Sequence, residues 1–359
     1  MSRSKLAVAA LSVAALLVST SCTPSSGNTQ PTGGVQSTPP SFTACLVSDA
    51  GGFADNSLSA LALSGLTQAV DVLGVGEQHL ESQDVKSFTD AVNSLAGSGC
   101  GLIIGVGADM ADAIVAAATA NPSIDFAIVD ATPAEQLDNL QPITFNTKQA
   151  SFLGGYLAAA LSKSGMVGTF GAAKTDEVSS LMSGFAQGVG YFNKQNQANV
   201  RLMGWVASSG KGTYLSVAKG ADPFNSVDVA RAAAQNFVVQ GVDVLFPVAG
   251  DSSVGALQVA QASNGAVSVI WTGGDGCVTT QYCPVIPTTV LTSADQAVYQ
   301  VVQAASAGTF DPAPYVGTLD NGGVGLARWH LWDTEIPDQT KAELGDIQNQ
   351  IVAGAITIS

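Results

Sequence analysis

The chain has 359 residues, of which 46% are hydrophobic and 11% charged. It is therefore long enough for two domains with buried cores and too apolar to be disordered over most of its length. The formal net charge is −15, and Lys and Arg do not cluster, which argues against a nucleic-acid-binding protein.

The N-terminus has the pattern of an export signal over residues 1–21. Arg3 and Lys5 precede an apolar run at 6–18 that is too short to span a bilayer. Small residues then lead directly into Cys22, as in the signal of bacterial lipoproteins. We therefore expect Cys22 to be acylated and to become the new N-terminus, with ordinary secretion and a free thiol as the alternative.

Residues 22–40 are small, polar and uncharged, so they cannot bury a core and are predicted to form a flexible tether. Because no second long apolar run follows, we expect the mature protein to be held at the extracytoplasmic face of the cell membrane by its lipid alone.

Short apolar strands alternate with Ala-rich helical patterns beyond the tether, which predicts an α/β fold with parallel sheets. Residues 99–130 and 240–275 share one order of features: a strand, a small-residue loop, an Ala-rich helix, an Asn, a second strand and an Asp. This internal similarity predicts two related lobes, and ligand sites lie preferentially between such lobes.

Acidic residues follow several of the predicted strands. Ligands of parallel α/β sheets bind at the loops beyond the carboxyl ends of the strands. The candidates are Asp49, Asp130 and Asp275 at strand ends and Asp55 and Asp222 in loops. An acid at such a position is also a common helix N-cap or turn residue, so each single assignment stays open.

Four aromatic residues lie near these loops, and an aromatic ring can stack on a planar base or a sugar face. Phe53 belongs to the first loop, and Phe224 lies in a segment with turn residues rather than in an apolar strand. We rank Phe224 above Trp205, which has the pattern of a core residue, and Trp271 follows an apolar strand.

Four cysteines remain beyond the predicted lipid-attachment site: Cys45, Cys100, Cys277 and Cys283. An exported protein permits disulfides, and the last two cysteines share one short loop. The first two each begin an apolar strand and are within bonding reach if those strands are neighbours. We favour these two pairs over the other connectivities. A zinc site is the weaker alternative, because only His79 and His330 are available as histidine ligands.

Sequence patterns of common catalytic sites are missing: there is no Gly-x-Ser-x-Gly elbow, no His-x-x-x-His pair and no phosphate-binding loop. With two histidines the chain also has little general-base capacity. We therefore expect no catalytic residues, no metal and no cofactor.

From about residue 44 onward the chain resembles the basic membrane protein (BMP) family, the purine-nucleoside-receptor-like lipoproteins that serve ABC importers. Six motifs carry the resemblance: Asp49-x-Gly51-Gly52-Phe53-x-Asp55-Asn56-Ser57, Gly105-Val106-Gly107, Phe126-Ala127-Ile128-Val129-Asp130, Gln149-Ala150-Ser151-Phe152-Leu153-Gly154-Gly155-Tyr156, Phe246-Pro247-Val248-Ala249-Gly250 and Gly323-Val324-Gly325-Leu326-Ala327. It implies a type I periplasmic-binding-protein fold with two Rossmann-like lobes and three hinge crossovers. The expected lobes are residues 41–145 plus 272–316 and residues 146–271 plus 317–359.

The resemblance also implies roles for matching residues. Asp49 and Asp55 would face the cleft from the first loop, and Asp130 would hold ribose-type hydroxyls. Phe224 would stack on the base, and Gly250 would let backbone approach the ligand.

Three positions depart from the family pattern. Leu58 occupies the position of an aromatic, and Asp275 lies beyond the position of the family's Gly-Val-Asp. The Lys expected after Leu-Thr-Ser is Ala294. Leu58, Asp275 and Phe53 stay among the expected ligand contacts, and the departures bear on nucleoside specificity more than on fold.

The sequence as a whole predicts a monomeric, lipid-anchored solute-binding protein of an ABC importer, with a nucleoside as ligand and permease subunits as partners. A surface sensor of the same fold for a sugar or another small polar metabolite is the first alternative. An exported nucleoside hydrolase is the second, and it would release free base from inosine.

Overall fold

Two sheets of mainly parallel strands form the framework of the computed structural model, which describes residues 41–53, 57–82 and 84–358. The predicted signal peptide and tether, Cys22 among them, lie outside the described residues, as does Asp55. Within the described part of the chain, no helix combines the length and apolarity required to cross a membrane.

Strands and helices alternate along most of the chain. The strands are β1 (Thr43–Val47), β2 (Gly76–Leu80), β3 (Leu102–Val106), β4 (Asp125–Val129), β5 (Leu140–Phe145), β6 (Met166–Gly171), β7 (Arg201–Met203), β8 (Trp205–Val206), β9 (Lys211–Gly212), β10 (Val244–Val248), β11 (Ser268–Val269), β12 (Trp271–Gly273), β13 (Thr289–Thr292), β14 (Tyr315–Gly317) and β15 (Val324–Leu326). The helices are α1 (Leu58–Leu73), α2 (Val85–Ala96), α3 (Ala111–Ala120), α4 (Thr147–Leu161), α5 (Asp176–Asn196), α6 (Val227–Val239), α7 (Val254–Ala262), α8 (Gly276–Thr279), α9 (Ala294–Ser306) and α10 (Asp338–Val352).

The first lobe is built on a parallel sheet with the strand order β14-β5-β4-β3-β1-β2. Its central strand β3 is buried along its whole length and carries an unbroken apolar sequence, as a strand covered on both faces should. Helices α1 and α9 pack on one face, and α2 and α3 pack on the other.

The second lobe has a parallel sheet in the order β7-β6-β10-β11, and β12 follows β11 after a single residue. Strand β12 pairs with β13, which pairs in antiparallel fashion with β15. Helices α4, α5 and α10 share one core with β13 and β15, and α6 and α7 share another with the α8 region.

Over the residues that the structure describes, the chain crosses between the lobes three times, from β5 to α4, from β13 to α9 and from β14 to β15. The second crossing falls at Ser293, later than the boundary expected at residue 272. The physical reason is strand pairing, because β12 and β13 are hydrogen-bonded to each other and Val290 packs in the same core as α4. Residues 272–292 therefore pack with the second lobe.

Helices α4 and α5 meet backbone to backbone. A Cβ added to Gly155 would lie 2.0 Å from the carbonyl oxygen of Phe185, and one added to Gly188 would lie 1.9 Å from that of Phe152. No side chain larger than hydrogen fits at these two contact points, so the glycines set the separation of α4 and α5.

Two disulfides link the cysteine pairs favoured from the sequence. Cys45 in β1 bonds Cys100, which immediately precedes the neighbouring strand β3. Cys277 bonds Cys283 in the loop around α8. The sequence separations are 55 and 6 residues, so the two bonds constrain the unfolded chain to very different degrees.

We expect loss of the longer-range disulfide to be the more costly. In the chain-entropy relation, removing the Cys45–Cys100 bond costs about 4 kcal/mol of unfolding free energy, and removing the Cys277–Cys283 bond costs about 2 kcal/mol. Chemical denaturation of the Cys45→Ala/Cys100→Ala and Cys277→Ala/Cys283→Ala double variants measures the difference. Equal losses would show that loop length does not govern the stabilisation.

Candidate functional site

A cavity of about 700 Å³ lies between the two lobes, and loops at the carboxyl ends of strands from both lobes line it. The first lobe contributes the loops after β1, β3 and β4 and the start of α1. The second lobe contributes the first turn of α5, the loop after β10 and a short 3-10 turn before α6. Residues of β12 and β13 complete the lining.

Asp49 lies two residues after β1, lines the cavity and is held by the start of α1. Its Oδ1 accepts hydrogen bonds from the backbone N–H of Gly51 at 3.1 Å and from the buried Ser59 hydroxyl at 3.0 Å. The Asp49 backbone N–H donates to the same Ser59 oxygen. These charge-assisted hydrogen bonds fix the orientation of the Asp49 carboxylate.

Asp130 follows β4 and also lines the cavity. Its backbone is in the left-handed region, with φ of 61°, and its N–H donates to the carbonyl of Ile143 in the neighbouring strand. A non-glycine residue in this region is uncommon and is tolerated best by Asp and Asn. The turn therefore directs an acidic side chain into the cleft.

Glu177, in the first turn of α5, reaches Asp130 from the opposite lobe, and the two carboxyl groups are hydrogen-bonded. Burial raises the pKa of the Asp130 carboxyl. Burial, followed by the charge of Asp130, raises the pKa of Glu177 to about 8. Glu177 is exposed to the solvent that enters the cleft, but protein from both lobes surrounds it. Because the pKa of Glu177 is raised to about 8, the pair holds a proton near neutral pH, and the protonated Glu177 can donate it in a hydrogen bond to Asp130.

Phe224 lies on the second-lobe side of the cavity, in the 3-10 turn Pro223–Asn225. Its backbone N–H donates to Asp222 Oδ1 at 2.9 Å, and the Ser252 hydroxyl donates to the Pro223 carbonyl at 2.8 Å. These bonds tie the turn to the loop after β10, where Gly250 also lines the cavity. A Cβ at Gly250 would lie 3.4 Å from the Phe224 ring, so glycine leaves that face of the ring uncrowded.

Five of the residues expected to contact ligand thus lie together in the cavity lining: Asp49, Leu58, Asp130, Phe224 and Gly250. Phe53 is elsewhere, with its ring in an edge-on contact with His79 at 5.4 Å between centroids and packed against the first-lobe core. Trp205 and Trp271 are buried core residues.

Asp275, also expected at the ligand, is turned to other partners. Its Oδ1 accepts from the backbone N–H of Cys277 and caps α8, and its Oδ2 lies 2.7 Å from His330 Nε2. The helix-cap interpretation left open for strand-end acids therefore describes this residue. Asp275, Cys277 and His330 have metal-ligating atoms near one another, but the Cys277 sulfur is bonded to Cys283 and offers no thiolate.

Glu177 was missed by the sequence reasoning. It lies two residues after the α5 N-cap Thr175, where acids are common because they suit the helix dipole. The only available signal was its position after the strand β6, which ends at the same edge as β10.

A two-lobed α/β protein with three crossings and a cleft between the lobes has the architecture of the bilobal periplasmic-binding-protein fold. The structure is similar to the crystal structure of "ABC transporter system solute-binding proteins" from Aeropyrum pernix K1, with a TM-score of 0.74 at 20% identity, covering 88% of this chain and 92% of that one. The type I periplasmic-binding-protein fold implied by the sequence is confirmed.

The family model "ABC transporter substrate-binding protein PnrA-like" matches residues 42–358, and the chain belongs to this family. Basic membrane protein A2 of Borrelia garinii is 27% identical over 213 residues, which are 59% of this chain and 58% of that protein. The "ABC transporter nucleoside-binding protein BmpA" of Lactococcus lactis is 26% identical over 268 residues, 74% of this chain and 70% of that protein. The alignment with the Borrelia relative spans less than two thirds of that protein. The family match confirms the resemblance to the BMP family that the sequence motifs indicated.

We expect the stability of the ligand-free protein to fall as the pH rises towards 8. The raised pKa of Glu177 means that the folded state holds this proton more tightly than the unfolded chain does, so the stabilisation is lost as the proton leaves. Thermal denaturation across pH 5–8 should show a shallower fall for Glu177→Gln than for wild type. Asp176→Asn, an exposed neighbour on the same helix turn, is the matched control. Parallel profiles for wild type and Glu177→Gln would contradict the shared proton.

Proposed function

We propose that this ABC transporter substrate-binding protein is a lipid-anchored receptor that binds a nucleoside in the cleft between its lobes and delivers it to a membrane permease. The observation that carries the proposal is the pairing, in one cavity, of an aromatic ring on the second lobe with a carboxylate on the first, Phe224 and Asp130. The name of the Lactococcus relative, a nucleoside-binding protein, supports the same ligand class.

The two side chains match the two halves of a nucleoside. A base is flat and apolar on its faces, and stacking on Phe224 would remove both surfaces from water. A ribose presents neighbouring hydroxyl donors, which a carboxylate can accept in pairs, and Asp130 is the acid held in the cleft by a strained turn. Asp49 would accept a further hydroxyl or amino group, and Gly250 would let the backbone approach the base.

Binding would close the cleft by population shift. The contacts come from both lobes, so a ligand makes its full set only when the lobes are together, and its differential affinity favours the closed state. The closed form would then be the one that docks on the permease.

The nucleoside proposal predicts a thermal shift. Protein freed of co-purified ligand should be stabilised by about 2.7 kcal/mol at a nucleoside concentration 100 times Kd. Phe224→Ala should abolish most of the shift because the stacking surface is lost, and Phe224→Tyr, which keeps the ring, should retain it. The proposal fails if no nucleoside in a panel that also contains sugars gives a shift, or if Phe224→Ala binds as well as wild type.

Lipid attachment is tested separately from binding. Wild-type protein expressed with its signal peptide in a bacterial host should sediment with membranes and partition into a detergent phase, because an acylated Cys22 buries its chains in the bilayer. Cys22→Ser should be released into the aqueous fraction with unchanged ligand binding. Recovery of wild-type protein in the aqueous phase would contradict lipid attachment and indicate ordinary secretion.

A further inference from the structure

The charged residues in the described lining of the cavity are all acidic. Its described lining contains six carboxyl groups, those of Asp49, Asp109, Asp130, Glu177, Asp222 and Asp251. Among the lining residues that the structure describes, none is Lys, Arg or His. An anionic solute would therefore meet only like charge, and desolvating it in the cleft would have no compensating partner.

Two of these groups face each other across the cleft from opposite lobes. Asp130 ends a strand of the first lobe, and Glu177 begins a helix of the second, yet their carboxyl groups are in hydrogen-bond contact. If both were ionised at this separation, their repulsion would oppose closure of the lobes. A proton between them removes that repulsion, and so would any cation small enough to take the proton's place.

We propose, on the basis of the proposed function, that the cleft selects a solute that carries a protonated amino group, seated between Asp130 and Glu177, and that it rejects anionic solutes. An ammonium group has three donors and no acceptor, which fits two carboxylates that together offer only acceptors. The Phe224 ring on the same cavity adds a face that attracts either a base or a cation.

An amine and a ribose hydroxyl differ in one measurable respect. A hydroxyl can bind to the pair while the shared proton stays in place, whereas an ammonium group must displace it. Binding of the amine therefore releases a proton and becomes tighter as the pair ionises, between about pH 5 and the pKa of about 8 that Glu177 has in this pair. The other carboxyl groups of the described cavity lining, on Asp49, Asp109, Asp222 and Asp251, add a negative background that Glu177→Gln leaves intact.

The test uses sets of solutes that carry a neutral, an amino or an anionic substituent at one position: adenosine, 5′-amino-5′-deoxyadenosine and adenosine 5′-monophosphate, with glucose, 6-amino-6-deoxyglucose and glucuronate as the sugar set. Calorimetric titration of the wild-type mature protein at pH 5 and pH 8 measures each Kd. We expect the amine to bind at least about tenfold more tightly than its neutral parent at pH 8, with the preference shrinking at pH 5, and the anion to bind most weakly.

Glu177→Gln separates the proposed contact from general acidity. It should reduce the ratio of amine to neutral-solute affinity to near one, and Asp176→Asn, outside the cavity lining, should keep the wild-type ratio. Thermal denaturation verifies that both variants are folded. Neutral solutes binding as well as their amine partners in wild type would overturn this inference and leave the proposed function standing. Absence of binding by any member of either set would overturn both.

Discussion

The structure depends on one geometric constraint, the direction of its parallel strands. All strands of a parallel sheet release their loops at the same edge, and the three crossings turn two such edges towards one cavity. Asp49, Asp130 and Phe224 are far apart in the chain and are brought together only because each follows a strand or precedes a helix at these edges. The cleft is thus a consequence of strand direction, and its chemistry is set by the few residues that happen to stand in those loops.

The strength of the sequence prediction follows from the same constraint. Strands such as β3 and β4 are buried on both faces, so they read as unbroken apolar runs, and the acid that follows β4 could be placed at the sheet edge from the sequence alone. The Cys277–Cys283 pair could be proposed because the two residues share one loop, and the Cys45–Cys100 pair on the condition that their strands are neighbours, as β1 and β3 are. These inferences use only local pattern and the rules of parallel sheets.

Two predictions were wrong and one residue was missed, because each depends on contacts between segments that are far apart in the sequence. Asp275 ends the second copy of the internal repeat as Asp130 ends the first, but His330 lies close to Asp275 in space and is hydrogen-bonded to its carboxylate. The boundary at residue 272 was displaced because the chain after β12 returns as β13 to the same sheet. Glu177 has the sequence pattern of an ordinary first-turn acid, and only the meeting of the lobes gives it Asp130 as a partner.

The contact between the Asp130 and Glu177 carboxyl groups also affects how the protein can have two stable lobes and still open and close around a solute. Each lobe has its own buried cores, and in the second lobe glycines at the α4–α5 contact hold the two helices close together. The energy that decides between open and closed must then come from the few groups that touch across the gap. A proton shared by Asp130 and Glu177 is a weak and reversible link of that kind, and a solute that replaces it with several contacts at once would hold the closed state more firmly than the proton does.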